Sequence, residues 1–194
     1  VRKKRSNLGL RLLLFLLILI FLAAAAIWYI RPERTLDMNY SEIQWKDKLV
    51  GMIETRKPEI VITEEEFNHL AKKKLAEALR SQEHPVAITG TQLQFSGNQL
   101  TVHLNAAWGP MEFGAAVQYA MEYSARKVVI TPEAVKVKDL SLSPGLFGLE
   151  QIEIDPGPYL PDPVTVKGMV FHDRQITVKL TLDWLEIAKY LSSY

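Results

Sequence analysis

The chain has 194 residues, 23 of them basic and 22 acidic, with four histidines and no cysteine. That length holds one domain of ordinary size plus an anchor. The missing cysteine excludes a disulfide framework, a thiolate metal site, a cysteine nucleophile and the lipid-modified cysteine of a bacterial lipoprotein.

The formal charge of +1 hides a polarity. Arg2, Lys3, Lys4, Arg5 and Arg11 stand in the first 30 residues with no acid, leaving 18 basic residues against all 22 acids beyond them, near −4. A mildly acidic domain lacks the clustered Lys and Arg that phosphate backbones demand, so no nucleic-acid partner is expected.

Residues 1–11 form a basic N-terminus. Residues 12–30 read LLLFLLILIFLAAAAIWYI, with no charge and no proline. About 19 residues at roughly 1.5 Å each span some 28 Å, enough to cross a hydrocarbon core of about 30 Å. Trp28 and Tyr29 suit one interface, and the basic cluster at the other end favours the cytoplasmic side. The expectation is a single-pass protein of the cell membrane, N-terminus inside and C-terminal domain outside. A cleaved signal peptide, with Ala24-Ala25-Ala26 as its small-residue site, is the competing reading; the apolar run continuing through Ile27–Ile30 weighs against it.

Residues 31–40 read as a short polar linker, and residues 41–194 as one extracytoplasmic domain. Residues 41–55 carry a broad apolar helical face, with Ser41 and Gln44 fitting a capping box. Residues 59–62 suggest a brief strand. Thr63-Glu64-Glu65-Glu66 opens a second helix with a capping box and three acids at the positive dipole end. Its apolar face holds Phe67, Leu70, Ala71, Leu75, Ala78 and Leu79, and it ends before His84-Pro85.

From Val86 the period drops to 2. Alternating runs around residues 100–108, 111–123, 164–170 and 176–184 are separated by turn signals at Ser96-Gly97-Asn98, Gly109-Pro110, Ser124-Ala125-Arg126 and Asp173-Arg174-Gln175. One-sided alternation with short turns predicts an antiparallel meander covered on one face. Gly90, Gly114 and Gly168 are expected to bend or bulge it, and a parity slip between Val137 and Leu140 suggests a further bulge. A short helix is expected over residues 184–191. The fold class is α+β: an N-terminal transmembrane helix, then two amphipathic helices packed on a curved antiparallel β-meander.

Chemistry-bearing patterns are sparse. His69, His84, His103 and His172 lack ligand spacing, so no metal is expected. His103 falls opposite the apolar row and is expected to be solvated. Glu150, Glu153, Asp155 and Asp162 sit among prolines 156, 158, 161 and 163, which describes an extended, wet connection better than a carboxylate pair. No nucleophile elbow, phosphate loop or zinc-protease motif appears, so neither an enzyme nor a cofactor is expected.

Two apolar features remain. The row Met111, Phe113, Val117, Tyr119 and Met121 lies on one face of a strand of about 13 residues, near 44 Å at roughly 3.4 Å each. It either lines a cavity for an apolar ligand or is simply covered by the helices. Leu146 and Phe147, in the loop Ser143-Pro144-Gly145-Leu146-Phe147-Gly148-Leu149, are expected to tuck into the core; otherwise they form a lid or a contact tip.

The order of anchor, helix, short apolar strand running into Ile62-Thr63-Glu64-Glu65-Glu66-Phe67-Asn68, and strand meander resembles the YpmS-like family of membrane-anchored bacterial proteins. It is also similar to small tubular lipid-binding domains. Either resemblance implies an extracytoplasmic domain that handles lipid or another apolar ligand; neither supplies catalytic residues. An assembly module that binds an envelope protein is the alternative function.

Overall fold

The computed structural model describes residues 8–80, 86–160 and 164–182, with side chains from residue 11 to residue 181. An N-terminal apolar helix, α1 (Leu8–Tyr29), precedes an α+β domain with antiparallel sheets. Within α1, Arg11–Tyr29 is long and apolar enough to cross a membrane and is not buried against the rest of the chain.

The strands separate into two sheets rather than one meander. Strands β2 (Ala87–Ser96), β3 (Gln99–Trp108), β4 (Met111–Ser124) and β5 (Lys127–Val137) pair in chain order. Two short strands, β6 (Leu140–Leu142) and β7 (Ile152–Ile154), both pair with β5. The second sheet takes β1 (Glu59–Thr63), β8 (Val164–His172) and β9 (Gln175–Leu182) in the order β1-β9-β8. A period of 2 reports which face a residue takes, not which strand it pairs with, so the sequence could not separate the sheets.

The hairpins close through two-residue turns. Ser96 faces Gln99, Trp108 faces Met111, Ser124 faces Lys127, Val137 faces Leu140 and His172 faces Gln175. The slip between Val137 and Leu140 is therefore a hairpin and not a bulge. Register shifts fall between Ile88 and Gly90 and between Val166 and Gly168, as those two glycines suggested, and also opposite Gln118–Tyr119, whereas the register runs unbroken through Gly114.

Helix α2 (Trp45–Thr55) is shorter than its apolar pattern. Gln44 occupies the N-cap without a side-chain cap, so the expected Ser41–Gln44 capping box does not form, and the Ser41 amide donates to His69 Nδ1 at 3.1 Å. Helix α3 (Glu64–Arg80) begins as its capping box demands. The Thr63 amide donates to Glu66 Oε2 at 2.8 Å, and the Glu66 amide to Thr63 Oγ1 at 3.3 Å. The expected end of this helix at His84-Pro85, Asp162, and the helix expected over 184–191 lie outside the described residues.

The core lies between the sheets. Ile60, Ile62, Ile176, Val178 and Leu180 of the small sheet meet Leu93, Phe95, Leu100, Met121 and Ile130 of the large one, with Leu49 and Met52 of α2 in the same cluster. Helix α3 runs along the free edge of β2. Asn68 Nδ2 donates to the Leu93 carbonyl and its Oδ1 accepts from the Leu93 amide, each at 2.7 Å, while the Phe95 amide donates to Glu64 Oε2 at 2.8 Å.

Residues 31–40 are a strap rather than a free linker. The Gly114 amide donates to the Ile30 carbonyl at 3.0 Å, Asn105 Nδ2 to the Arg34 carbonyl at 2.6 Å, and the Thr91 amide to the Asp37 carbonyl at 3.1 Å. The chain thus crosses β4, β3 and β2 in turn on the face opposite the core. Glycine is required beneath it. A Cβ at Gly114 would come within 2.9 Å of Pro32 Cα, and one at Gly90 would overlap the backbone of Leu36.

Candidate ligand-binding site

An apolar cleft of about 270 Å³ opens where α3 leans across the mouth between the sheets. Phe67, Leu70 and Ala71 of α3 form one wall. Leu93, Leu100, Met121 and Ile130 of the large sheet form the second, and Ile62, Met169, Phe171 and Ile176 of the small sheet the third. Tyr159 and Leu160, from the proline-rich connection, close one side. Phe67 meets Phe95 edge-on, with ring centroids 5.0 Å apart, which fixes the tilt of the helix. No residue of α3 is fully buried, because its apolar face borders the cleft instead of filling the core.

The volume sits just under the roughly 300–1,000 Å³ of ordinary ligand pockets. At roughly 30 Å³ for a water-sized group, it holds about nine such groups. That is one short hydrocarbon chain, not a whole diacyl lipid. Lys74 stands at the rim with its ammonium 5.7 Å from the centroid of the Tyr159 ring. The Tyr123 hydroxyl is buried in the same core with no hydrogen-bond partner among the described residues.

The residues singled out from sequence are scattered by the fold. Met121 lines the cleft. Tyr119 is half-buried against the core, and burial raises its pKa. Val117 is buried but outside the main cluster, while Met111 and Phe113 are half-buried at the opposite end of β4. Leu146 is 74% exposed and Phe147 51%, so these side chains do not tuck. Their short 3-10 turn, Pro144–Phe147, lies outside β5 on the edge of the large sheet. Sequence reading missed the α3 wall, since it had the helices simply covering the apolar row, and Met169 and Phe171, whose strand belongs to the other sheet.

A larger polar cleft, about 520 Å³, lies between the strap, the start of α3 and β2. Its groups are committed to structure. Lys72 Nζ donates to Asp37 Oδ1 at 2.8 Å, His69 accepts from Ser41, and Asn68 and Glu64 hold β2. The proline-rich stretch is equally structural where described: Lys127 pairs with Glu153 at 2.7 Å, and Asp155 accepts the Gly157 amide at 2.9 Å. Among the described residues no group of His, Asp and Glu is arranged to hold a metal ion. No protein-family model, curated protein or solved structure matches this chain.

Proposed function

We propose that the chain is a membrane-anchored domain on the outer face of the cell membrane that binds a single apolar chain, such as an acyl group, in the cleft beneath α3. The observation that carries this reading is the cleft itself: three apolar walls of aromatic and aliphatic side chains, with little polar lining. Burying one methylene there stabilises a ligand by about 0.8 kcal/mol. The exposed, charge-free span of α1 and the basic residues before it support retention in the membrane with the N-terminus inside.

Native mass spectrometry of residues 31–194, which keep the strap apart from the Ile30 bond to Gly114, followed by solvent extraction, tests the reading. The expected result is one hydrocarbon-bearing ligand per chain, absent from Ala71→Phe, whose ring fills the cleft. Empty wild-type protein would defeat it.

The assembly-module alternative is favoured by a different observation. Leu146, Phe147 and Ile152 are exposed together along the outer edge of the large sheet, where an envelope protein could seat. Crosslinking in membranes should then capture a protein neighbour that Phe147→Asp loses.

A further inference from the structure

The end of the large sheet nearest α1 carries a third cleft, about 190 Å³ and ringed by charged side chains, that the apolar site does not use. Arg31 and Arg34 of the strap approach it from one side and Lys136 and Lys138 from the other, with His103 and Asn105 on its floor. Glu33 is the one carboxylate among its lining residues. None of the four fixed cations forms an ion pair with another described residue. Elsewhere in the domain Lys48, Lys72, Lys73, Lys74 and Lys127 do pair with carboxylates. Four unpaired like charges around so small a space repel one another, and an anion between them would relieve that repulsion.

The fold also sets the height of the cleft. Lys138 Nζ lies 4.9 Å from the centroid of the Tyr29 ring and 5.7 Å from that of Trp28, the two aromatic residues at the distal end of the apolar helix. Tyr and Trp at such an end mark the headgroup level of a bilayer. The strap begins one residue later at the same level, because Ile30 is bonded to Gly114 of β4. His103 is partly covered, and burial, then the charge of Arg34, lowers its pKa, so the positive charge of the cleft resides in the four other basic side chains.

We infer that this cleft holds the phosphate of an anionic phospholipid headgroup in the leaflet facing the domain. The inference rests on the membrane placement proposed above but is independent of the apolar cleft. Met121, on that cleft, is seven residues along β4 from Gly114, about 24 Å at roughly 3.4 Å per residue. The two sites therefore cannot share one headgroup.

The test uses the full chain reconstituted in nanodiscs of phosphatidylglycerol and phosphatidylcholine in equal amounts, with retained lipids read by native mass spectrometry. Wild type should retain phosphatidylglycerol over phosphatidylcholine by about tenfold or more, since each basic residue near an anionic surface contributes roughly fivefold. The triple variant Arg34→Gln, Lys136→Gln, Lys138→Gln should retain the two equally. Arg34 meets the strap's partner Asn105 through its carbonyl, so the side-chain change spares that bond. Lys138→Asn alone, which suits the left-handed backbone at that position (φ 52°), should lower the preference about fivefold even if the triple variant folds poorly.

Equal retention by wild type, or a preference that survives all three substitutions, would overturn the inference. Inorganic phosphate separates the sources: if it protects Lys138 from acetylation while phosphatidylglycerol does not, the lipid assignment fails. A chain that never enters nanodiscs would instead refute the membrane placement itself.

Discussion

The two ends of the large sheet are built from the same alternating pattern but are stabilised in different ways. At the end far from α1, Leu93, Leu100, Met121 and Ile130 face a second sheet, and apolar burial does the work. At the end near α1, the opposite face is crossed by the strap, and close backbone approach over Gly90 and Gly114 with three hydrogen bonds takes over. Apolar contact is tolerant of shape and leaves a cleft. Backbone contact is not, and it places charges at fixed positions. An apolar cleft and a cationic one therefore occur on one sheet without interfering.

The far end should break most severely at Asn68, which holds both the amide and the carbonyl of Leu93. Asn68→Leu leaves two edge groups of β2 unpaired and should cost about 3 kcal/mol in urea unfolding of residues 31–194. The near end should yield less. Gly90→Val forces the strap off β2 and should cost about 2 kcal/mol. Hydrogen exchange should sharpen the contrast: the Thr91 amide, bonded to Asp37, loses protection in Gly90→Val while the amides around Met121 keep theirs.

Acid should distinguish the ends in sequence. His103, at the strap end, has its pKa held below 6.5 by burial and then by Arg34. The unfolded chain therefore takes up that proton first, and stability declines as pH falls below 6.5. Glu66 lies by the small sheet. Burial raises its pKa, but Lys48 Nζ at 2.7 Å and the Thr63 amide outweigh this, leaving it below 4.5. Its contribution is present above 4.5 and is lost as pH falls through the lower, folded value. Thermal melts should show both declines in wild type. His103→Gln should remove the first and retain the second. The smallest effect is expected at the far hairpin, where Ala125 holds φ 50°: Ala125→Gly should raise stability by about 0.5 kcal/mol, measured by urea unfolding.

Features with a local cause were legible in the sequence. The apolar run of α1, the Thr63–Glu66 capping box and the hairpin turns each depend on residues close in the chain. The strap was not, because its partners Gly114, Asn105 and Thr91 lie far along the chain from residues 30–37. Gly90 and Gly114 were visible as special positions, yet a missing side chain does not say what approaches it. The apolar row on β4 was correctly recognised as one face but not as two environments. Which half meets the second sheet follows from β1 joining β9 across more than a hundred residues.

The most direct test of the central claim is the affinity of residues 31–194 for a fluorescent acyl probe, compared between wild type and Ala71→Phe. Saturable binding of one probe per chain, displaced by a short fatty acid and lost when the phenyl ring occupies the space beneath α3, is the predicted result. Equal binding by both proteins would place the probe elsewhere and contradict the account.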